Sequence, residues 1–566
     1  MKNLLLSSVL TLVVFGCSAE GDTDDFDGNA GVGGASTGGF GTGGFATGGA
    51  SGGGAATGGF ATGGSSTGGS GVGGSGGVIA VGGFGAGGDV GVGGAGGSGG
   101  ETSGGSGGEA SGGSGGASGG SGGEASGGSG GATGGTGGTG GSGGASGGTG
   151  GATGGSGGSG GSSSVTGVNT TNLFVTLAGK TQNEVDQKVT TAVNRFFGIG
   201  TGESNTPNKD NGYRCYYELP SDSSMAFIWA PDSDDIRSEG VSYGMMIAVQ
   251  MGMKTQFDKL WKFAKTYSQY PSNTATTPWR YYFKWQNNDA SSPASFDIQY
   301  GATEVPAPDG DEYFAAALYL AHQRWGSAGT FNYKKDADDI ADAMIHNAPA
   351  NSRYPIIHAT QNMVVFVPYG DSNNFTDPSY HLPAFYELFA EIGPSQDSAK
   401  WRSIASTSRS FLVTSAHPST GLHPDYATFA GARHSTGGGG CTHDRFCYDA
   451  WRVVMNMAID YAWYSQSSTM RTQVEKYHAF FADKLSNNNV TNALFSVDGS
   501  GAGGGGSTAL VATLASGALA SNAANRASYV NALWNVPQQQ GLYRYYQESV
   551  YLLGLLATAG KFSPTF

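Results

Sequence analysis

The sequence predicts an all-α domain of paired helices preceded by a disordered, glycine-rich segment, on three grounds. Most of the 104 glycines fall before residue 165, in a stretch with too little apolar surface to offset the entropy of ordering it. Beyond Val168 the composition turns abruptly to Trp, Tyr, Phe and Leu, and about 400 residues follow without a second linker, so one large domain is the economical organisation. Within that domain apolar residues recur at helical spacing in segment after segment, whereas alternating β patterns are scarce, the best lying over 363–368.

The elements follow in order. Residues 1–17, MKNLLLSSVLTLVVFGC, set one Lys before an apolar run and a small residue before Cys17, the layout of a secretory leader. The run is too short and wrongly flanked for a membrane span. Val14-Phe15-Gly16-Cys17 reads as a bacterial lipobox whose Cys is acylated, so a cell-surface or outer-membrane lipoprotein is expected, with simple secretion as the alternative. Residues 18–168 repeat Gly-Gly-Ser, Gly-Gly-Ala-Thr and Gly-Gly-Glu-Ala-Ser units without a fixed period, which is the composition of a flexible linker. Its root-mean-square reach is roughly 60 to 75 Å. A fibrous or adhesive segment is the competing reading. Residues 169–566 form the folded domain, with helices expected over 182–197, 238–252, 254–269, 309–324, 333–346, 378–392, 396–414, 447–464, 468–484, 507–520, 523–534 and 543–559. These fit αα-hairpins closed into a ring, and equally a solenoid.

The formal net charge of −14, with no basic run against it, argues against nucleic acid and leaves neutral polymers admissible as partners. Besides Cys17, the cysteines Cys215, Cys441 and Cys447 reach an oxidising compartment, so one disulfide is expected. Cys441 with Cys447 is the first choice because they flank a short loop, although Cys215 can replace either. Their spacing to His443 is completed by no Cys-x-x-Cys or second His cluster, so no metal or other cofactor is expected. A monomer is expected, touching a membrane only through its lipid anchor.

Three acids invite a chemical reading. Glu239 lies in Arg237-Ser238-Glu239-Gly240-Val241-Ser242-Tyr243-Gly244, where Ser238 is placed to cap a helix and Glu239 sits in its first turn. Most first-turn acids do no more than complement the helix dipole. Here the small and apolar neighbours suit a closed site, in which desolvation would keep the carboxyl protonated as a proton donor. Asp449 opens another helix in Cys447-Tyr448-Asp449-Ala450-Trp451-Arg452, and reads either as half of a surface pair with Arg452 or as a base that activates water. Asp309, after Pro308, is a helix N-cap or a third functional carboxylate. The aromatic cluster Trp279, Tyr281, Tyr282, Phe283 and Trp285 reads mostly as core, with stacking on pyranose rings as the functional alternative.

Ser238-Glu239-Gly240 with Ser242-Tyr243-Gly244-Met245, Phe257-Asp258-Lys259-Leu260-Trp261, Pro308-Asp309-Gly310-Asp311 and Asp377-Pro378-Ser379-Tyr380 come in that order along the chain. Gly421-Leu422-His423-Pro424-Asp425-Tyr426, Asp449-Ala450-Trp451-Arg452 and Tyr543-Arg544-Tyr545-Tyr546 follow. Together, over 170–566, they resemble glycoside hydrolase family 8. The resemblance implies an (α/α)6 barrel and an inverting mechanism, with Glu239 as general acid, Asp449 as general base and Asp309 orienting the sugar. It makes Trp285 and Tyr380 sugar platforms and Tyr243 a substrate contact. Arg445 would hold a sugar hydroxyl or Asp449, an ordinary surface Arg being the alternative. Inversion requires carboxyls roughly 6.5 to 9.5 Å apart.

Within the family, segments 242–250 and 306–310 look most like the branch acting on β-1,4-linked xylan and xylo-oligosaccharides, and less like endoglucanases, lichenases or chitosanases. Members that release reducing-end xylose carry a Leu-His-Pro kink ahead of a late helix, closing the cleft. Here that region is Gly499-Ser500-Gly501-Ala502-Gly503-Gly504-Gly505-Gly506. Flexible glycines are not expected to block a cleft, which favours an endo mode over an exo mode. A non-catalytic glycan-binding surface lipoprotein is the remaining alternative, disfavoured by the presence of all three acids.

Overall fold

The computed structural model describes residues 168–210, 212–270, 278–289, 298–299, 305–436 and 441–566. The leader, Cys17 and nearly all of the glycine-rich segment lie outside the described residues. The helices are α1 (Leu173–Ala178), α2 (Gln182–Phe197), α3 (Ser238–Gln250), α4 (Lys254–Phe263), α5 (Pro308–Trp325), α6 (Tyr333–His346) and α7 (Pro383–Ile392). There follow α8 (Ser398–Thr414), α9 (Val453–Asp460), α10 (Ser468–Phe480), α11 (Thr508–Gly517), α12 (Arg526–Asn535) and α13 (Arg544–Thr558).

Alternate helices build the core. α3, α5, α7, α9, α11 and α13 pack side by side in that order, and α13 packs back against α3, so the ring closes. Outside it, α4 leans on α3, α6 on α5, α8 on α7, α10 on α9, α12 on α11 and α2 on α13. This is an (α/α)6 barrel, and closure of the ring excludes a solenoid.

The two layers differ in sequence because they differ in solvent contact. Every residue of α3, α9 and α11 is buried, the polar ones such as Glu239 and Asp460 included, as befits helices covered on all sides by neighbours. The outer α2 buries one stripe, Val185, Val189, Ala192, Val193, Phe196 and Phe197. It starts at a capping box, in which Thr181 and Glu184 satisfy each other's backbone donors, and ends at Gly198 in the left-handed region, φ +67°.

Several expected elements take another form. The helix expected over 378–392 is a 3-10 turn, Pro378–Tyr380, followed by α7 from Pro383, because a proline cannot donate to the preceding turn and disfavours helical backbone before it. The segment 447–464 is a 3-10 turn (Asp449–Arg452), then α9, then a π-helical turn (Tyr461–Ser465). Residues 363–368 make only the isolated bridge Ile357↔Val364; Val364, Phe366 and Val367 instead bury their side chains in the core.

The strands lie elsewhere. β1 (Tyr216–Leu219) pairs antiparallel with β2 (Asp222–Ile228), and β3 (Asp235–Arg237), β4 (Gln286–Asp289) and β5 (Ile298–Gln299) form an antiparallel sheet in that order. β6 (Leu485–Ser486) and β7 (Asn489–Val490) form a small hairpin. β3 runs straight into α3, and Ser238 N donates to Trp285 O at 2.9 Å, so this sheet sets where α3 begins. Cys441 and Cys447 form a disulfide, as first expected, and Cys215 is a buried free thiol.

Candidate active site

The starts of the inner helices send their side chains into one buried cluster centred on Arg452. Its Nη1 donates to Glu239 Oε1 at 2.8 Å, Asp309 Oδ2 at 2.7 Å and the Tyr243 hydroxyl at 2.6 Å. Its Nη2 donates to Asp449 Oδ1 at 2.9 Å and Ser379 Oγ at 2.7 Å, and lies 3.9 Å from Asp377 Oδ2. One guanidinium thus gathers carboxylates from α3, α5 and the turns that precede α7 and α9, none of them more than 1% exposed. Glu239 and Asp449 sit on the two terminal nitrogens of one planar group, which brings their nearest oxygens within about 8 Å of each other. An inverting pair stands roughly 6.5 to 9.5 Å apart, which this upper bound admits.

Two glycines make this convergence possible. A Cβ on Gly240 would stand 2.4 Å from the Tyr545 ring, so only glycine lets Tyr545 lie across α3 and donate from its hydroxyl to Glu239 Oε2 at 3.0 Å. A Cβ on Gly310 would stand 2.6 Å from Ser238 Oγ. The Ser-Glu-Gly and Asp-Gly-Asp motifs are therefore the two halves of a close packing between α3 and α5. Ser238 does not cap α3 as expected: it is the first helical residue, after Arg237 at the N-cap position, and its buried Oγ makes no hydrogen bond among the described residues. Asp309 is likewise not the N-cap of α5, a position held by Ala307.

Burial pushes the Glu239 carboxyl up to about 8, with Asp309 and Asp449 reinforcing the shift and Arg452 opposing it. Burial also raises Asp309, against the pull of Arg452, and raises Asp377 well above the usual carboxylate range. One guanidinium does not balance four carboxylates, so the cluster retains protons at neutral pH. Asp449 has Oδ1 on Arg452, while its buried Oδ2 accepts no hydrogen bond among the described residues. The next acids along α5, Asp311 and Glu312, face away: Asp311 accepts from Phe283 N and Glu312 from the Tyr386 hydroxyl.

Of the residues singled out from sequence, Glu239, Asp309, Asp449 and Tyr243 meet in this cluster. Trp285 adjoins it through the start of α3, is 8% exposed and carries the Arg237 guanidinium 5.8 Å from its ring centre. Tyr380 is not an open platform. It is fully buried, with Phe366 stacked at 6.1 Å and the Arg452 guanidinium over the ring at 5.7 Å.

Arg445 forms no ion pair with Asp449; its Nη2 donates to Gly501 O at 2.5 Å. The glycine run is correspondingly not loose. Gly499 N donates to Ser496 O at 2.8 Å, Gly503 pairs with Leu494, and Gly499, Gly501 and Gly504 take φ of +91°, +61° and +64°. Glycine serves tight turning there.

Sequence reasoning missed Arg452 as the hub, along with the parts played by Asp377 and Tyr545. Asp377 precedes a proline and accepts from Ser379 N, so locally it looks like a turn cap. Arg452 stands three residues from Asp449, a spacing that a surface pair shares.

The family model for Glycosyl hydrolases family 8 matches residues 230–560. The reducing-end xylose-releasing exo-oligoxylanase Rex8A of Paenibacillus barcinonensis is 35% identical over 360 residues, 62% of this chain and 88% of that protein. Endoglucanase 2 of Ruminiclostridium josui is 27% identical over 355 residues, 62% and 68% of the two chains. Among solved structures, a family 8 xylobiose complex from Teredinibacter turnerae matches with a TM-score of 0.62 at 35% identity, over 70% of this chain and 97% of that one. The chain therefore belongs to family 8 of the glycosyl hydrolases and is an inverting glycoside hydrolase.

Proposed function

We propose that this enzyme hydrolyses β-1,4-linked xylan or xylo-oligosaccharides, with Glu239 as general acid and Asp449 as general base. The observation that carries the assignment is the shared Arg452, which holds Glu239 and Asp449 on the two terminal nitrogens of one guanidinium while burial pushes the Glu239 carboxyl up to about 8. Glu239 gives its proton to the glycosidic oxygen as the bond from that oxygen to the anomeric carbon breaks. Asp449 Oδ2 takes a proton from the water that attacks the same carbon from the opposite face, and the product emerges with inverted configuration. Asp309 accepts from a hydroxyl of the reacting ring, Tyr243 lies against the acid, and Trp285 supplies a stacking face beside it.

The xylan reading is supported by the higher identity to the xylose-releasing relative than to the endoglucanase, and by the xylobiose-bound neighbour. Cleavage within the chain is proposed because residues 499–506 carry only hydrogen, methyl and hydroxymethyl side chains. What favours an open cleft is the size of those side chains, not looseness of the loop. The leader and Cys17 support export and lipid anchoring, with the glycine-rich segment as tether.

The test is product analysis. Fresh product from xylohexaose should be the α-anomer by NMR, and xylan should yield a spread of oligomers with a fast fall in viscosity. Glu239→Gln and Asp449→Asn should each lower kcat by at least about a hundredfold with folding retained. A β-anomeric product would sink the inverting assignment, and release of reducing-end xylose alone would sink the endo mode.

A further inference from the structure

The stretch of chain that carries Asp449 is gripped from behind by a carboxylate that the reaction does not use. Asp425 is fully buried. Its Oδ1 accepts from Cys447 N at 3.2 Å and Ala450 N at 3.0 Å, which bracket Asp449. Its Oδ2 accepts from His443 Nδ1 at 3.3 Å. His443 sits within the turn closed by the Cys441–Cys447 disulfide. Its ring stacks on Tyr426 at 4.3 Å and 15°, and its carbonyl accepts from Tyr426 N at 2.8 Å. Asp425 N in turn donates to Arg445 O at 2.8 Å, so residues 425–426 and 443–445 run as a short ladder. The disulfide ends two residues before Asp449, and every link from it to the base is a hydrogen bond or a covalent bond.

A buried carboxylate is costly unless its lone pairs are satisfied, and here most of that satisfaction comes from the backbone that presents Asp449. We propose, on the reading that Asp449 is the general base, that Asp425 and His443 are positioning residues for it and that the disulfide turn locks them in place. Asp425 fixes the backbone at 447–450, which aims the Asp449 carboxylate at Arg452 on one oxygen and into the site with the other. A misplacement of about 1 Å at a reacting group can cost on the order of a hundredfold in rate.

The experiment uses the full-length enzyme on xylohexaose. Asp425→Ala should lower kcat by about 10- to 100-fold with KM within about twofold. Asp425→Asn keeps an acceptor oxygen for both N–H groups and should recover most of that loss. Cys441→Ser/Cys447→Ser should lower kcat in the same direction, by about three- to tenfold. Because Asp425 acts through Asp449, adding Asp425→Ala to Asp449→Asn should cost less than about twofold more.

Full kcat in folded Asp425→Ala, a proportional rise in KM, or an additive loss in the double variant would each overturn the proposal. If Asp425→Ala does not fold, the Asn and Ser variants decide: an unchanged kcat with the disulfide removed, or an Asn variant as impaired as Asp449→Asn, overturns it. Near-normal kcat in Asp449→Asn would instead refute the base assignment itself, and a chain that leaves xylohexaose intact would refute the substrate.

Discussion

Glu239 and Asp449 share one cation but are held by different means. Glu239 is surrounded by side chains: Tyr545 on Oε2, Arg452 and Tyr243 on Oε1, with Gly240 allowing the Tyr545 ring to come close. Among the described residues Asp449 has only Arg452 on its carboxylate, and its backbone is held by Asp425. The contrast matches the two tasks that the proposed assignment gives them. A proton donor needs a dry shell that raises its carboxyl, here to about 8. A proton acceptor needs one oxygen anchored and the other left open toward the substrate. Packing tunes the first group and loop geometry aims the second.

The most damaging test removes what the halves share. Arg452→Ala would leave Glu239, Asp309, Asp377 and Asp449 buried around a missing cation, and should destabilise the fold by about 3 to 5 kcal/mol in urea unfolding. Arg452→Lys should recover part of that stability but little activity, since one ammonium cannot serve both carboxylates from a planar fork. An unchanged unfolding midpoint in Arg452→Ala would show that the halves are held independently.

On the acid side alone, Gly240→Ala pushes into Tyr545 and should cost about 1 to 3 kcal/mol, with a loss of kcat. The KM-neutral signature expected of the Asp425 variants should be absent.

The pH profile separates the groups next. On the proposed assignment Glu239 works while protonated, so kcat/KM should fall as pH rises through about 8. A flat profile up to pH 9 would remove Glu239 from the role of donor.

The smallest effect is on stability. Glu239 and Glu548, ordinarily near 4.5, are raised to about 8, so between about pH 6.5 and 8 the folded chain keeps protons that the unfolded chain has lost. Their contribution is therefore lost as pH rises, and Tm should drop by a few degrees across that window. Below it, the buried His381, His423 and His478, lowered to between about 3 and about 4, pull the other way. Glu239→Gln should make the decline shallower, whereas Asp449→Asn should leave the share due to Glu548 untouched.

The barrel was legible because its two layers write different patterns. Amphipathic outer helices with side-chain caps, such as α2 after Thr181 and α6 after Asn332, were placed to the residue. The buried α9 was found as an apolar run, but its lead-in was not, because the 3-10 turn at 449–452 is shaped by Asp425, more than twenty residues away. The β1–β2 hairpin was missed for a similar reason: its inward face, Met225 to Ile228, gains its burial by tertiary contact with α4. Glu239, Asp449 and Asp309 could be singled out from their motifs, and the three do converge. That Asp449 and Arg452 form the centre of a cluster and not a surface pair could not, since nothing within ten residues of Arg452 announces the segments that converge on it. Arg445 and Tyr380 misled because position along the chain says nothing about which face of a ring, or which carbonyl, a neighbour will occupy.

The cluster around Arg452 has a further consequence for the reaction cycle. On the assignment above, one turnover takes a proton from Glu239 and leaves one on Asp449, both hydrogen-bonded to the same guanidinium. The total charge of the buried cluster is thus the same before and after the bond is cut; only its distribution shifts from one edge of a fixed cation to the other. In a medium where creating an uncompensated charge costs several kcal/mol, a reaction that conserves charge locally asks little rearrangement of its surroundings. What remains before the next cycle is the return of a single proton across the width of one arginine head group.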